Sequence, residues 1–268
     1  MKEKFFKLFK TAKPIIAMVH FPALPGSPLY DSKLGLDYIL ESTEKDLIAL
    51  QNAGVDAVMF GNENDRPYEF NVNAAATSTM AYVIGSLKSK IIVPFGVNVL
   101  WDPMSTIALA ASTGAHFVRE IFTGTYASDM GIWSPDAGKA MRYRNTLKRN
   151  DLLMFYNISA EFAYSLDRRS VAERAKSSVF SSIPDAVLVS GQITGESVKL
   201  NDLKEVKELL PEIPVLANTG VKIENVENTL NIADGVIIGS SLKVNGDTWN
   251  PVDPLRVIDF MTKVNKIR

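Results

Sequence analysis

The side chains of this chain that could do chemistry collect just after its apolar segments. His20 closes the first segment, Asn62 and Glu63 follow the second, and Asn98 follows the third. Arg119 and Glu120 lie at the end of the fourth, with Asp129 in the loop beyond. Asn157 and Glu161 bracket the end of the fifth, and Ser190 and Gly191 follow the sixth. Glu120, Asp129 and Glu63, with His20 and Asn157 as helpers, are the candidate catalytic set. Carboxyls of this kind can act as general acid or base, or as oxygen ligands for a divalent metal such as magnesium or manganese. The same carboxylates could instead be salt-bridged to Arg66, Arg119 or Arg142, and His20 could be a hydrogen-bonded histidine beneath its loop. Asn98, Arg119, Ser190 and Gly191 are candidate substrate contacts, whereas His116, at the start of the fourth segment, reads as structural. Side chains alternate along a strand, so Arg119 and Glu120 face opposite ways. Glu120 is the one expected to point inward, which leaves Arg119 to brace the loop of Asp129 or to reach a charged end of the substrate.

The last two apolar segments end in Asn218-Thr219-Gly220 and in Gly239-Ser240-Ser241. Small residues leave backbone N–H groups uncovered, and a short helix starting near Ser240 would add its positive end, so these six residues are the candidate phosphate seat. A side chain added at Gly220 is expected to enter that space. Ordinary strand-to-helix turns would use the same residue types. Two absences limit the chemistry further. No strand from the first to the seventh ends in lysine, which leaves only Lys243 for a Schiff base, and Gly131 to Lys139 lacks the spacing of a nucleotide-binding phosphate loop.

Eight apolar segments alternate with eight helical patterns. The predicted strands run from Ile15 to His20, Val55 to Phe60, Ile91 to Val97, Ala115 to Ile121, Leu152 to Ile158, Ala186 to Val189, from Val215 and from Gly235. Helices are expected over Leu36 to Asn52, Val72 to Leu87, from Asp102-Pro103 to Gly114, Pro135 to Arg149, Ser170 to Ser181, Leu203 to Leu210, from near Glu224, and from Asp253-Pro254 to about Val264. Near-continuous apolar strands with short helix-to-strand connections fit a parallel sheet covered by helices, closed as a single (β/α)8 TIM barrel over residues 1–268. The long loops follow strands one, two and four, on the face where such barrels work.

At 268 residues the chain has the ~250 that one barrel needs, and 46% hydrophobic residues can fill its core. A net charge of −1 leaves no basic excess to release counterions from a nucleic acid, so a small phosphorylated ligand is the expected partner. The absence of cysteine excludes thiolate chemistry and disulfides, which fits a reducing cytoplasm, and a homo-oligomer is the expected assembly. Residues 1–13 alternate five lysines with Phe5, Phe6, Leu8 and Phe9. This amphipathic helix is expected to plug the bottom of the barrel rather than to lie on a membrane.

The chain resembles the BtpA/SgcQ family over nearly its whole length. The matching pieces are MVHFPALPGSP from Met18, PFGVNVLWD from Pro94, FVREIFTGTYASDMGIW from Phe117, AVLVSGQITG from Ala186, VLANTGVKIENVE from Val215 and IADGVIIGSSLKVNGDTWNPVDPLRV from Ile232. The SgcQ branch is the nearer one, through REIFTGTYASDMGIW and the ending FMTKVNKIR. The resemblance implies a phosphate-binding TIM barrel. Two functions come with it: a photosystem I or membrane-complex biogenesis factor, and a sugar-metabolism or nucleotidase-like protein. An isomerase, epimerase, lyase or metal-assisted hydrolase of a sugar-phosphate-like metabolite is the reading adopted, and the alternative is a non-catalytic assembly factor.

Overall fold

The computed structural model describes residues 2–268. Its parallel strands are β1 (Ile15–His20), β2 (Ala57–Gly61), β3 (Phe95–Asn98), β4 (Phe117–Glu120), β7 (Leu153–Asn157), β9 (Ala186–Val189), β10 (Val215–Ala217) and β11 (Gly235–Ile238). They close into a barrel in the order β1-β11-β10-β9-β7-β4-β3-β2, in which the first and last strands pair through Ile15 and Val236. Three short strands, β5 (Tyr126–Ser128), β6 (Gly131–Trp133) and β8 (Ala163–Ser165), form a separate antiparallel sheet from the loops after β4 and β7. The helices are α1 (Lys2–Phe9), α2 (Gly35–Asn52), α3 (Ala74–Ser86), α4 (Pro103–Thr113), α5 (Ala137–Thr146), α6 (Val171–Ser182), α7 (Leu200–Leu209), α8 (Val226–Leu230) and α9 (Pro254–Ile267).

Helix starts follow their capping residues. Asp102 accepts from Ser105 N–H ahead of Pro103, Asp253 accepts from Leu255 N–H ahead of Pro254, and Ser170 and Glu173 form a reciprocal capping box. The third strand begins at Phe95 rather than Ile91. Pro94 has no N–H to give, residues 88–90 form a 3-10 turn, and Ile92 is exposed to water. The helix after β10 is only five residues long. The small antiparallel sheet was not anticipated, because its strands are three residues each and too short to show alternation.

The alternation of side chains divides the core in two. Ile16, Met18, Met59, Phe117, Phe155, Leu188, Leu216 and Ile237 fill the barrel, and their neighbours Ala17, Val58, Val118, Met154, Val187, Ala217 and Val236 pack toward the helices. At the bottom, α1 inserts Phe5 and Phe9 beneath Phe117 and Phe155, with ring centroids 5.6 Å apart in both the Phe5–Phe155 and Phe9–Phe117 pairs. Its lysines stay on the outer side, where Lys4, Lys7 and Lys10 are exposed. Among the described residues no helix is long and apolar enough to cross a membrane. Phe5 has no exposed surface, so Phe5→Ala is expected to cost roughly 3–5 kcal/mol of unfolding free energy in a urea titration. A loss below about 1 kcal/mol would mean that α1 does not seal the floor.

Candidate functional site

The inward set of side chains continues one step past the apolar filling and ends in a ring of one residue per strand: His20, Gly61, Asn98, Arg119, Asn157, Ser190, Asn218 and Gly239. Two of the eight are glycines, and each leaves room for a neighbour. A Cβ on Gly61 would meet Glu63 Oε2 at 2.5 Å, and one on Gly239 would meet the His20 ring at 3.3 Å. The first gap is what admits the Glu63 carboxyl in this position, and the second spares the His20 ring a tight contact.

The register of β4 corrects one expectation. Phe117 lies inside the barrel and Val118 outside, so Arg119 is the inward residue, not Glu120. Arg119 Nε donates to Asn218 Oδ1 at 3.0 Å and Nη1 to Asn98 Oδ1 at 2.7 Å, while Nη2 lies 3.6 Å from Glu161 Oε1. Glu120 still reaches the mouth because it ends its strand. Its carboxyl turns back to accept from Ile121 N–H at 2.7 Å, Asn98 Nδ2 at 2.6 Å and Trp101 N–H at 3.1 Å. Asn218 Nδ2 donates to Ser190 Oγ, Ser190 Oγ donates to Asn157 Oδ1, and Gly191 N–H donates to Thr219 Oγ1. One polar chain therefore runs from Glu120 through Asn98, Arg119, Asn218 and Ser190 to Asn157.

A cavity of about 440 Å³ opens above this chain, a size suited to a small metabolite. His20, Glu63, Arg119, Glu120, Asn157, Asn218 and Gly239 line one end, and Thr219, Gly220, Ser240 and Ser241 line the other. Ser190 and Gly191 support that lining from behind. Asp129 is the exception among the candidate catalytic residues. It occupies the turn of the β5–β6 hairpin, away from the cavity wall, because the loop that carries it folds into the small sheet. Glu63, Glu120 and Asp129 therefore do not converge as ligands, and among the described residues no group of three or more His, Asp or Glu side chains is gathered as a metal ion would require. Lys243 is buried and does not line the cavity, so it is not placed to form a Schiff base with a molecule there.

Burial sets the proton affinities. Glu63 and Glu120 are each raised from 4.5 to about 7 by loss of solvent, opposed in both by the positive charge of Arg119. Glu161 is also raised by burial and held back by Arg119 and by a hydrogen bond from Thr194. His20 is pushed well below its ordinary range by burial, then by the charges of Lys243 and Arg119, so its imidazole is neutral. The His20 Nε2 to Glu63 Oε1 distance is 3.5 Å, and neither His20 Nδ1 nor Glu63 Oε2 has a hydrogen-bond partner. The two carboxyls thus differ in kind. Glu120 accepts three hydrogen bonds that favour its ionised form, while Glu63 faces a neutral imidazole with one oxygen unpaired.

At the far end, the backbone N–H groups of Gly220, Val221, Ser240 and Ser241 have no acceptor within the chain among the described residues. Ser241 Oγ donates to Val221 O at 2.7 Å and ties the two turns together. The expected helix at Ser240 is a single 3-10 turn, Ser240–Leu242, so its dipole adds little. The space beside Gly220 is not open either. A Cβ there would meet Ser197 N at 2.2 Å, because the loop after β9 lies against it.

Lining residues that sequence reasoning missed are Tyr68, Trp101, Phe162, Lys222 and Arg256, and Glu161 was noted at the mouth without being chosen. Arg256 follows the Asp253-Pro254 cap by one helical turn, and that spacing could have placed it beside the last strand's end. Glu224 and Asp259 line the same end, so the charge there is balanced.

These features define a (β/α)8 barrel with a buried acid–base cluster and two bare backbone turns at the C-terminal ends of its strands. The chain belongs to the BtpA family, whose model matches residues 11–266. It is 48% identical over 96% of both chains to "Putative sgc region protein SgcQ" of Escherichia coli. It is also 30% identical to "Photosystem I biogenesis protein BtpA" of Synechocystis, over 96% of this chain and 89% of that protein. Among solved structures, phosphoribosyl anthranilate isomerase from Thermus thermophilus superposes with a TM-score of 0.59 over 95% of this chain and 100% of its own, at 10% identity, a likeness of fold alone.

A buried glutamate raised to about 7 keeps its proton in the folded state between pH 4.5 and 7, where the unfolded chain releases it. The folded state then binds more protons, so this contribution to stability falls as pH rises, by about 3 kcal/mol in all. The two histidines, both lowered, act in the opposite sense below pH 6.5. Comparison with Glu63→Gln isolates the glutamate. The variant is expected to gain on the parent by about 1–3 kcal/mol in urea unfolding between pH 5.5 and 8.5, and a difference that stays constant with pH would refute the raised proton affinity.

Proposed function

We propose that the protein is an enzyme that moves protons on a small phosphorylated, sugar-phosphate-like metabolite, an isomerase or epimerase in class. One observation carries the reading: the cavity that holds Glu63 and Glu120, both at about 7, also reaches two turns whose backbone N–H groups are free. Four such donors can receive three phosphate oxygens, and charge-assisted bonds are worth ~1.5–3 kcal/mol each. Because Lys222 and Arg256 are balanced by Glu224 and Asp259, the N–H groups rather than net charge draw the anion. Glu120, favoured as carboxylate by its three donors, takes a proton from carbon or oxygen. Glu63, beside a neutral imidazole, returns one. Arg119 uses two of its five N–H groups for Asn218 and Asn98, and the others stabilise an oxyanion developing over the barrel axis.

The donor set supports proton transfer better than metal-assisted hydrolysis, since among the described residues no three His, Asp or Glu side chains are gathered as ligands. A membrane-associated assembly role would need the aromatic face of α1, and that face is inside the barrel floor. A cytoplasmic metabolic role is therefore the reading we adopt.

The test is a panel of sugar phosphates in deuterated buffer followed by proton NMR. One member is expected to lose a C–H signal, with a rate dependent on ionisation near pH 7. Glu120→Gln is expected to slow that exchange roughly 10²–10⁴-fold. Equal turnover of the dephosphorylated compounds would overturn the anion assignment. An undiminished rate in Glu120→Gln would overturn the assignment of the base.

A further inference from the structure

Two aromatic residues that line the cavity hold backbone conformations their side chains disfavour. Trp101 has φ +66° and Phe162 φ +55°, in the left-handed region where glycine sits without strain. Trp101 is in a turn closed by Asp102 N–H to Val99 O at 3.0 Å, and its own N–H is thereby aimed at Glu120. Its indole rests on Trp133, with centroids 4.9 Å apart, and on Phe70 at 6.0 Å, leaving part of it in the cavity wall. Phe162 combines strain with exposure: the residue is 42% exposed, and its aromatic neighbour, Tyr68, is 6.3 Å away. Packing within the chain does not repay both costs. Strain that persists beside a cavity points to a role in what the cavity binds.

Beside this wall, Glu63, Glu120, Glu161, Arg119, Asn157 and Thr194 offer donors and acceptors, with Trp101 N–H itself on Glu120 and the Tyr68 hydroxyl on Glu63 O. The cavity thus sets aromatic side chains next to strongly hydrogen-bonding ones. A cyclic sugar has that same juxtaposition, with C–H groups on its face and hydroxyls around its edge. A flat heteroaromatic ring has fewer donors and acceptors at its edge and would leave more of these side chains unpaired, which is costly once water is excluded. We infer that Phe162 and Tyr68, backed by the buried Trp101, form a stacking wall for the C–H face of a sugar ring, so that the site takes a phosphorylated pyranose or furanose in its closed form. This deepens the phosphorylated-substrate reading above and rests on it for the direction in which the ring lies.

A closed ring also gives the acid–base pair a first task. The anomeric hydroxyl gives its proton to Glu120 as the C–O bond to the ring oxygen breaks, and the ring oxygen takes a proton from Glu63. The electron pair of the O–H bond becomes the carbonyl, and once Glu120 has released its proton to solvent and Glu63 has regained one, the C–H beside the carbonyl is acidic enough to give its proton to Glu120. No other reactant is needed.

Calorimetric binding to the parent, Phe162→Gly and Phe162→Leu tests the wall. Suitable probes are inorganic phosphate and two matched pairs, glucose 6-phosphate with glucitol 6-phosphate and ribose 5-phosphate with ribitol 5-phosphate. The parent is expected to favour one ring over its open-chain partner by about 10-fold. Phe162→Gly, which relieves the strain, should lose about 10-fold for that ring, keep its affinity for inorganic phosphate and show an unchanged or higher thermal midpoint; Phe162→Leu should fall between. Equal binding of ring and open chain, or an equal loss for inorganic phosphate, overturns the wall while leaving the anion seat standing. Failure of the parent to bind any phosphorylated probe, inorganic phosphate included, overturns the underlying reading and the inference with it.

Discussion

A single buried guanidinium organises the mouth of this barrel. Arg119 stands among three carboxyls, the buried Glu63 and Glu120 and the partly exposed Glu161, and lowers the proton affinity of each against the push of burial. Without a cation, carboxyls so enclosed would stay protonated and offer no base at neutral pH. With Arg119 strongly paired to one of them alone, the others would lose its influence. The observed compromise spends its two short hydrogen bonds on the neutral amides Asn98 and Asn218, and leaves Glu161 at 3.6 Å. Those amides pass the constraint on, Asn98 to the Glu120 carboxyl and Asn218 to Ser190. The positions of the catalytic candidates follow from where one side chain must place its N–H groups.

The guanidinium lies at the axis because of packing two layers lower. A Cβ on Gly96 would come within 2.2 Å of the Phe117 ring, so glycine there lets Phe117 enter the barrel, where it stacks on Phe155 at 5.0 Å. Alternation then brings Arg119 inward. Filling of the floor by Phe5 and Phe9 and direction at the mouth are thus one problem.

Much of the fold was legible in the sequence, because its signals are local: unbroken apolar strands, Asp-Pro and Ser-x-x-Glu caps, and Gly114 with φ +71° at the end of α4. The mouth residues were legible for the same reason, since every strand ends at one face. What local pattern could not supply was the register of β4, where Val118/Glu120 and Phe117/Arg119 are equally plausible inward pairs until Gly96 on the neighbouring strand is considered. Asp129 was misplaced because a three-residue strand leaves no period to read. Tyr68, Trp101 and Phe162 come from three separate loops, and no spacing along the chain predicts that they meet.

The central claim, that Arg119 holds buried glutamates at the edge of ionisation, is open to direct measurement by carbon-13 NMR of protein labelled at the glutamate carboxyls. In the ligand-free protein, Glu63 and Glu120, assigned by their Gln variants, should titrate near 7. Both midpoints should move up in Arg119→Met. Titration of both carboxyls near 4.5, or midpoints indifferent to the loss of the guanidinium, would contradict it.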